Sequence, residues 1–247
     1  SYLMPLLELI TKNTSLNPLE AMENAAKGIK ISESKEWWQM ASLFHTARGN
    51  VLRNRGYRDL ALAAFMTSYS YRERQQNPDL FVFGLVDIGN IYYDQRNFRK
   101  AFEFYNAAYD TAERRNYAFG QAVVLNNFGI LHRELGIHSL AEIMFNRSAD
   151  VRLRAGLYGL TAHSKNYIAG LRYREGRYQE GLAIVQDVID TMQKYDMYSE
   201  LADIYCGQAR FLQALGQEAA ADSAMNRSWD ILMRYNMLDR LDFHYMI

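Results

Sequence analysis

The stretch VDIGNIYYDQRNFRKAFEFYNAAYDTAERRN, residues 86–116, decides the fold of this chain. Apolar residues recur at spacings of three and four on both sides of Arg96-Asn97, which is typical of two amphipathic helices joined by a short turn. The small residues Gly89 and Ala101 would let the two helices approach closely, and Tyr105 would fill the space beside them. One such hairpin cannot bury both of its faces, so the stretch predicts further hairpins stacked against it.

The same pattern returns every 40 residues along the sequence. We expect a glycine in the left-handed conformation to end the first helix of each hairpin, with Asn97 taking that role where Arg96 replaces the glycine. The turn glycines are Gly56, Gly136, Gly176 and Gly216. Three further series keep the period: Gly49, Gly89, Gly129, Ala169 and Ala209; Ala21, Ala61, Ala101, Ala141, Gly181 and Ala221; Phe65, Tyr105, Phe145, Val185 and Met225.

The repeat pattern extends over nearly all of the 247 residues. Asn17-Pro18 and Asn77-Pro78 are typical of a helix cap followed by a first-turn proline, and residues 3–12 predict a short first helix. Without a Pro-, Gly- or Ser-rich linker, we expect a single domain, residues 1–247. Its repeat units are 1–36, 37–78, 79–117, 118–157, 158–197 and 198–238, with a partial unit at 239–247.

The partial last unit has two interpretations. Natural arrays usually close with a polar capping helix, so the partial unit predicts a fragment of a longer protein. The alternative is an apolar terminal helix through which two copies form a homodimer.

The order small, turn, small, aromatic at these offsets resembles the tetratricopeptide repeat over residues 17–238 at least. The sequence departs from the family in its period, which exceeds the usual ~34 residues, and in the tryptophan of the first helix. That tryptophan is replaced by His45, Leu85, Leu125, Lys165 and Tyr205. The resemblance implies an all-α fold, a right-handed α–α superhelix of about six helical hairpins with a concave groove.

The same resemblance implies a function in binding. Long-repeat members resemble bacterial peptide-sensing regulators and the sensory domains of some sensor kinases. We therefore expect a non-enzymatic module that binds a protein or peptide, as the sensory or regulatory domain of a larger bacterial signalling protein. The alternative is a passive scaffold that assembles through its outer or terminal helices.

In this family the groove is lined by places two, five, nine and twelve of each first helix. The polar and aromatic side chains there are our candidate binding residues, with Asn127 adjacent to the stripe. They are Asn50, Arg53, Asn90, Tyr93, Asn126, Asn127, Arg133, His163, Asn166 and Tyr173. Asparagine is a poor helix former, and its amide can bracket a peptide backbone, while arginine can bind a carboxylate and tyrosine offers amphipathic contact. The alternative is that these groups only solvate the groove or bond a neighbouring helix.

A second series places a basic residue near the end of each second helix, at Arg74, Arg114, Arg154, Lys194 and Arg234. Cations at that position stabilise the negative end of the helix dipole and can bond its last carbonyls. A docking stripe for an acidic partner is the alternative.

Several other functions are disfavoured by composition. Lysine plus arginine equals aspartate plus glutamate at 28 each, so the basic surplus of a nucleic-acid binder is missing. No apolar run approaches the roughly 18 residues that a membrane span needs. The histidines form no metal-ligand pair, and no Gly-rich phosphate loop occurs. Cys206 with His163 could make a nucleophile and base, but a packing cysteine is favoured. We therefore expect no catalysis, metal or cofactor, and the compartment stays open.

Overall fold

The computed structural model describes residues 3–74, 78–235 and 237, and these form helices and turns without a β-strand. The all-α prediction is confirmed for this part of the chain. The helices are α1 (Leu3–Leu16), α2 (Pro18–Ser34), α3 (Trp38–Asn54), α4 (Arg58–Arg74), α5 (Pro78–Asp94), α6 (Phe98–Arg114), α7 (Ala118–Glu134), α8 (His138–Arg154), α9 (Thr161–Arg174), α10 (Tyr178–Lys194), α11 (Leu201–Ala214) and α12 (Glu218–Arg234). A 3-10 turn at Tyr198–Glu200 precedes α11. The predicted cap at Asn77, the side chain of Arg74 and the partial unit at 239–247 lie outside the described residues.

The chain divides into two compact units, residues 1–124 and 125–247. In the first unit consecutive helices pack against each other, and Leu3, Ile10, Phe44 and Val51 belong to a buried apolar cluster. In the second unit α8 to α12 also pack on their neighbours along the chain, around a cluster that includes Val185. The expectation of one repeat domain over the whole chain stays a prediction.

The turns repeat one backbone geometry. At the end of α3, Gly56 has a φ of 79°, the amide of Tyr57 donates to the carbonyl of Leu52 at 2.9 Å, and that of Gly56 donates to Arg53. This pair of bonds satisfies carbonyls that the helix end leaves open. Left-handed residues recur at 20-residue spacing, at Glu36, Gly56, Arg96, Asn116, Gly136, Gly156, Gly176, Asp196 and Gly216. The turn between hairpins is therefore built like the turn within a hairpin.

Our expectation for Asn97 was wrong. Arg96 itself takes the left-handed conformation, with a φ of 59°, whereas Asn97 has a φ of −85°. Asn97 instead caps the next helix, because its side-chain oxygen accepts a hydrogen bond from the backbone amide of Lys100 at 3.2 Å. The fixed length of the turn places the left-handed residue one position earlier than the residue type suggested.

The first hairpin is longer than the sequence suggested. Helix α1 runs to Leu16, four residues beyond the predicted end at residue 12. The predicted cap at Asn17 is confirmed, since its side chain accepts from the amide of Glu20 at 3.3 Å and Pro18 opens α2.

Close approach of the helices depends on the glycines of the predicted small-residue series. A Cβ atom added at Gly89 would lie 2.6 Å from the ring of Tyr105, and one added at Gly49 would lie 2.7 Å from the ring of Phe65. Gly129 lies in the same relation to Phe145. The predicted pairing of a small residue with a large one 16 residues later is confirmed, and it sets the helix spacing in each unit.

Candidate binding surface

In the first unit, the predicted stripe residue Arg53 already has a carboxylate partner. Its Nε and Nη2 donate to Oδ2 and Oδ1 of Asp94 at 2.5 and 3.1 Å, which joins α3 to α5. Burial disfavours the charged guanidinium, but the hydrogen bond and attraction of Asp94 outweigh it, so the pKa of Arg53 is raised. Arg53 is therefore held as an internal pair.

The other stripe residues of the first unit differ in their freedom. Asn90 is half-buried, and its Oδ1 accepts a hydrogen bond from the hydroxyl of Tyr105 at 2.7 Å. The ring of Tyr93 packs against Phe98, with centroids 5.9 Å apart. Asn50 is exposed on α3. The amide of Asn90 thus bonds a neighbouring helix through its oxygen, while Asn50 faces solvent.

A buried arginine that the sequence analysis did not single out lies close to this stripe. Arg72 on α4 is 3% exposed, its Nη2 donates to Oγ1 of Thr46 at 2.7 Å, and its Nη1 lies 3.8 Å from Asp87. The hydroxyl of Ser68 lies 2.8 Å from that of Thr46 and donates to the carbonyl of Ser42. The network ties α3, α4 and α5 together by polar contacts.

Ionisation of this network is shifted by burial. Desolvation raises the pKa of Asp87 to about 6, although Arg72 and Arg53 oppose the shift. Burial also lowers the pKa of Arg72, with Asp87 opposing it. The positive charge of Arg72 is therefore answered by a carboxylate of the same unit.

In the second unit the register equivalent of Arg72 is Arg152 on α8, 80 residues later. Arg152 is 3% exposed, and its Nη1 donates to Oγ of Ser164 at 2.7 Å. The Ser164 hydroxyl in turn faces Oδ1 of Asn126 at 3.2 Å and Oγ of Ser148 at 3.0 Å. The predicted stripe residue Asn126 is thus buried in a network of neutral hydroxyl and amide groups.

No carboxylate of the described residues lies within 4.0 Å of the Arg152 guanidinium. Burial lowers its pKa to about 10, opposed in part by Tyr167. Arg172 on α9 gives a contrast within the same unit, because it is buried as well but Glu142 and Glu175 both lie within hydrogen-bonding distance of it. The second unit therefore supplies acidic partners to one buried arginine and none to the other.

His163 lies at the exposed edge of this region. Its Nε2 is 3.0 Å from Oε2 of Glu200, and 35% of its side chain is exposed. Burial is the main cause that lowers the pKa of His163; Glu200 opposes it and Arg152 adds to it. Cys206 is buried, and desolvation raises the pKa of its thiol. His163 is thus engaged with Glu200, and the thiol of Cys206 is held in its protonated form.

The remaining stripe residues of the second unit have mixed surroundings. Arg133 lies 3.5 Å from Glu134. Tyr173 is packed edge-on against Phe211, with centroids 5.1 Å apart, and the guanidinium of Arg210 lies 5.0 Å from its ring. Asn127 and Asn166 are half-buried. Whether the ten stripe residues bind a ligand stays a prediction.

Arg72 and Arg152 are the residues that the repeat analysis missed, and a signal for them exists. Their register position holds Ala112, Met192 and Leu232 in the other repeats, so an arginine breaks an otherwise apolar series. An ionisable residue in a core register marks a buried charge, which needs a partner.

The basic series at the ends of the second helices is exposed where its side chains are described. Arg114, Arg154, Lys194 and Arg234 stand in the last turns of their helices, and Nε of Arg114 donates to the carbonyl of Asp110 at 3.2 Å. This contact agrees with stabilisation of the helix end. Within the described ranges, no helix is long and apolar enough to cross a membrane, and no cluster of His, Cys, Asp and Glu could hold a metal ion.

Comparisons with known proteins place these observations in a family. The sequence profile described as "Tetratricopeptide repeat" matches residues 84–154. The sequence matches none of the curated proteins.

Solved structures share the fold over most of the chain. BtubC (BKLC) of P. vanneervenii has 15% identity over 87% of this chain and 91% of its own, with a TM-score of 0.67. The Rap conjugation gene regulator of plasmid pLS20, solved in complex with the Phr* peptide, has 13% identity over 91% and 71%, with a TM-score of 0.61. A signal transduction ATPase with numerous domains from Pyrococcus horikoshii, which carries a tetratricopeptide repeat sensor, has 14% identity over 95% and 37%, with a TM-score of 0.62. The chain therefore belongs to the tetratricopeptide repeat family, by sequence in residues 84–154 and by fold in the other described helices.

Proposed function

We propose that this chain binds a peptide or protein segment along the predicted stripe of its first helices and acts as a sensory or regulatory module. The observation that carries the proposal is the fold shared with a Rap regulator that was solved with a bound peptide. The likeness to an ATPase with a tetratricopeptide repeat sensor, of which this chain spans 37%, supports a place in a larger signalling protein.

The stripe offers suitable chemistry for an extended ligand. Asn50 and Asn166 make no hydrogen bond to another described residue, so their amides remain available to a peptide backbone. Tyr93 and Tyr173 are held by packing and present partly exposed rings. These four side chains are the candidate contacts; Asn90 and Asn126 serve the protein itself through their side-chain oxygens.

A binding role also agrees with the state of the reactive groups. A thiol with a raised pKa is a poor nucleophile at neutral pH, and His163 is paired with Glu200. We therefore propose a module without catalytic activity of its own.

The test is a peptide-library pulldown with the purified chain and two double variants. Asn50→Ala with Asn166→Ala removes the available amides. The matched control is Asn106→Ala with Asn146→Ala, which removes two exposed amides on the second helices α6 and α8. We expect the first variant to lose the captured peptides, by tenfold or more, and the control to keep them. Equal capture by both variants would refute a role for the stripe amides, and no capture by the wild type would favour the scaffold alternative.

A further inference from the structure

Arg152 is a buried cation whose charge the second unit leaves unanswered. Of its three nitrogens, Nη1 donates to Ser164, and Nε is sealed from solvent without a hydrogen-bond partner among the described residues. Nη2 makes no hydrogen bond to a described residue and is not among the sealed nitrogens, so this corner of the guanidinium reaches solvent. A buried guanidinium is normally paired with an acid, because desolvation of a lone charge is strongly unfavourable.

Two other arginines show that the missing acid is specific to this position. Arg72 occupies the same register in the first unit and is matched by Asp87. The residue 80 positions after Asp87 is Tyr167, so the second unit has a phenol where the first has a carboxylate. Arg172, in the same unit as Arg152, is surrounded by Glu142, Glu175 and Glu180.

We propose that Arg152 is the receptor for a carboxylate of the bound peptide or protein. This inference rests on the proposed function and names the chemistry of its ligand. The carboxylate takes the place that Asp87 holds beside Arg72, and it completes the hydrogen bonding of a guanidinium that only Ser164 satisfies. It comes either from the C-terminus of the ligand or from an aspartate or glutamate side chain.

The surroundings of Arg152 select a single negative charge. Its neighbours Ser148, Ser164 and Asn126 are neutral, and the nearby Lys165 is paired with Asp187 at 2.5 Å. A phosphate dianion would need a second cation for comparable stabilisation, whereas one carboxylate matches one guanidinium. The positive charge also reaches the surface, since it acts on His163, a partly exposed residue of the predicted stripe.

The first experiment uses acetate as the probe. Thermal unfolding of the chain is followed in 100 mM sodium acetate and in sodium chloride of equal ionic strength at pH 7. Because a ligand that binds the folded state raises the melting temperature, we expect acetate to raise the Tm of the wild type by about 2 °C relative to chloride. Absence of a difference would overturn the proposal.

Two variants locate the effect. Arg152→Met removes the charge, and Asn126→Asp places a carboxylate one serine away from Arg152 without a change of shape, so each should abolish the acetate shift. Arg72→Met, in the register position that already has an acid, should keep it. An acetate shift that persists in Arg152→Met would overturn the proposal. If Arg152→Met does not fold, Asn126→Asp decides, because a persistent shift in that variant contradicts it equally.

Peptides distinguish the source of the carboxylate and separate this inference from the proposed function. Peptides captured by the wild type are resynthesised with an amidated C-terminus or with Asp and Glu changed to Asn and Gln. Loss of capture in one set, and insensitivity of Arg152→Met to that change, identify the group that Arg152 binds. Capture that depends on Asn50 and Asn166 but not on any carboxylate would refute the inference alone. An acetate shift at Arg152 without peptide capture would refute the proposed function alone.

Discussion

Two arginines in the same repeat register, Arg72 and Arg152, meet opposite surroundings. Both are 3% exposed, and both donate to a hydroxyl of a first helix, Thr46 in one unit and Ser164 in the other. Asp87 lies beside the first arginine, but the second has no carboxylate within 4.0 Å in the described part of its unit. The network of the first unit is therefore closed in charge, and that of the second is open.

The apolar contacts of the same two units do not differ in this way. Gly89 faces Tyr105 in the first unit as Gly129 faces Phe145 in the second. Helix spacing is set by these contacts, so the repeat keeps them, while the polar positions beside them can change without loss of the fold. Differences between repeats in polar residues are thus the places to look for function.

The largest expected effect concerns the shared packing. Gly89→Ala and Gly129→Ala should each lower the free energy of unfolding by about 2 kcal/mol or more, because the new methyl group overlaps a fully buried ring. Gly170→Ala is the matched control: it lies inside α9 with nothing within 4 Å of its Cβ position, so it should stabilise by about 0.5–1 kcal/mol through helix propensity. Urea unfolding followed by circular dichroism measures all three. A neutral Gly89→Ala variant would show that the ring contacts do not set the helix spacing.

The next effect concerns the closed network. Asp87→Ala should lower the free energy of unfolding by about 1–2 kcal/mol, since it leaves the buried charge of Arg72 without its carboxylate. The exposed Asp110 provides the control, and Asp110→Ala should change stability by less than about 0.5 kcal/mol. Arg152→Met should be close to neutral in the same urea assay, because no ion pair is broken. Equal losses in Asp87→Ala and Arg152→Met would remove the contrast between the two networks.

A smaller effect is the pH dependence of the first unit. Burial raises the pKa of Asp87 to about 6, against 3.8 for an ordinary aspartate, so the folded state holds the proton more tightly than the unfolded state. The contribution of this group to stability is therefore present below about pH 4 and is lost as the pH rises through about 6. About a quarter of the side chain, 24%, remains exposed, so we expect a loss of about 1 kcal/mol.

Asp87→Asn isolates this pH effect, because it lacks the ionisable group. Urea unfolding of the wild type and of this variant at pH 4.5 and pH 7 gives the difference in slope. The difference between the two proteins should grow in favour of the variant as the pH rises. A parallel dependence in both would show that Asp87 titrates normally.

The smallest effect concerns the turns, where one residue differs among the repeats. Arg96→Gly should raise the free energy of unfolding by about 0.5–1 kcal/mol, because a left-handed arginine is strained and its ring contact with Phe98, at 5.9 Å, is weak. Gly136→Ala should have the opposite sign and similar size, as it puts a side chain at a φ of 74°. Thermal unfolding checks both, and a destabilised Arg96→Gly variant would mean that the arginine side chain matters more than its backbone.

The sequence predicts much of the fold, and the reasons are local. The 40-residue period, the turn glycines and the pairing of Gly89 with Tyr105 are all visible as residue types at fixed spacing. The left-handed Arg96 was missed, since residue preference favoured the neighbouring asparagine while the hydrogen bonds of the turn fixed the position. The end of α1 was also misplaced, because helix length depends on packing as well as on propensity.

For the candidate site the balance is reversed. The sequence alone determined that hairpins repeat, where they turn and which small and large residues meet, because helical periodicity and volume are properties of residue types. Which polar side chains meet was decided only by the tertiary structure, because hydrogen bonds and ion pairs depend on the faces that packed helices bring within a few ångströms. The carboxylate beside Arg72 and the neutral network around Arg152 both come from residues on other helices, at sequence separations of 12 to 38 residues.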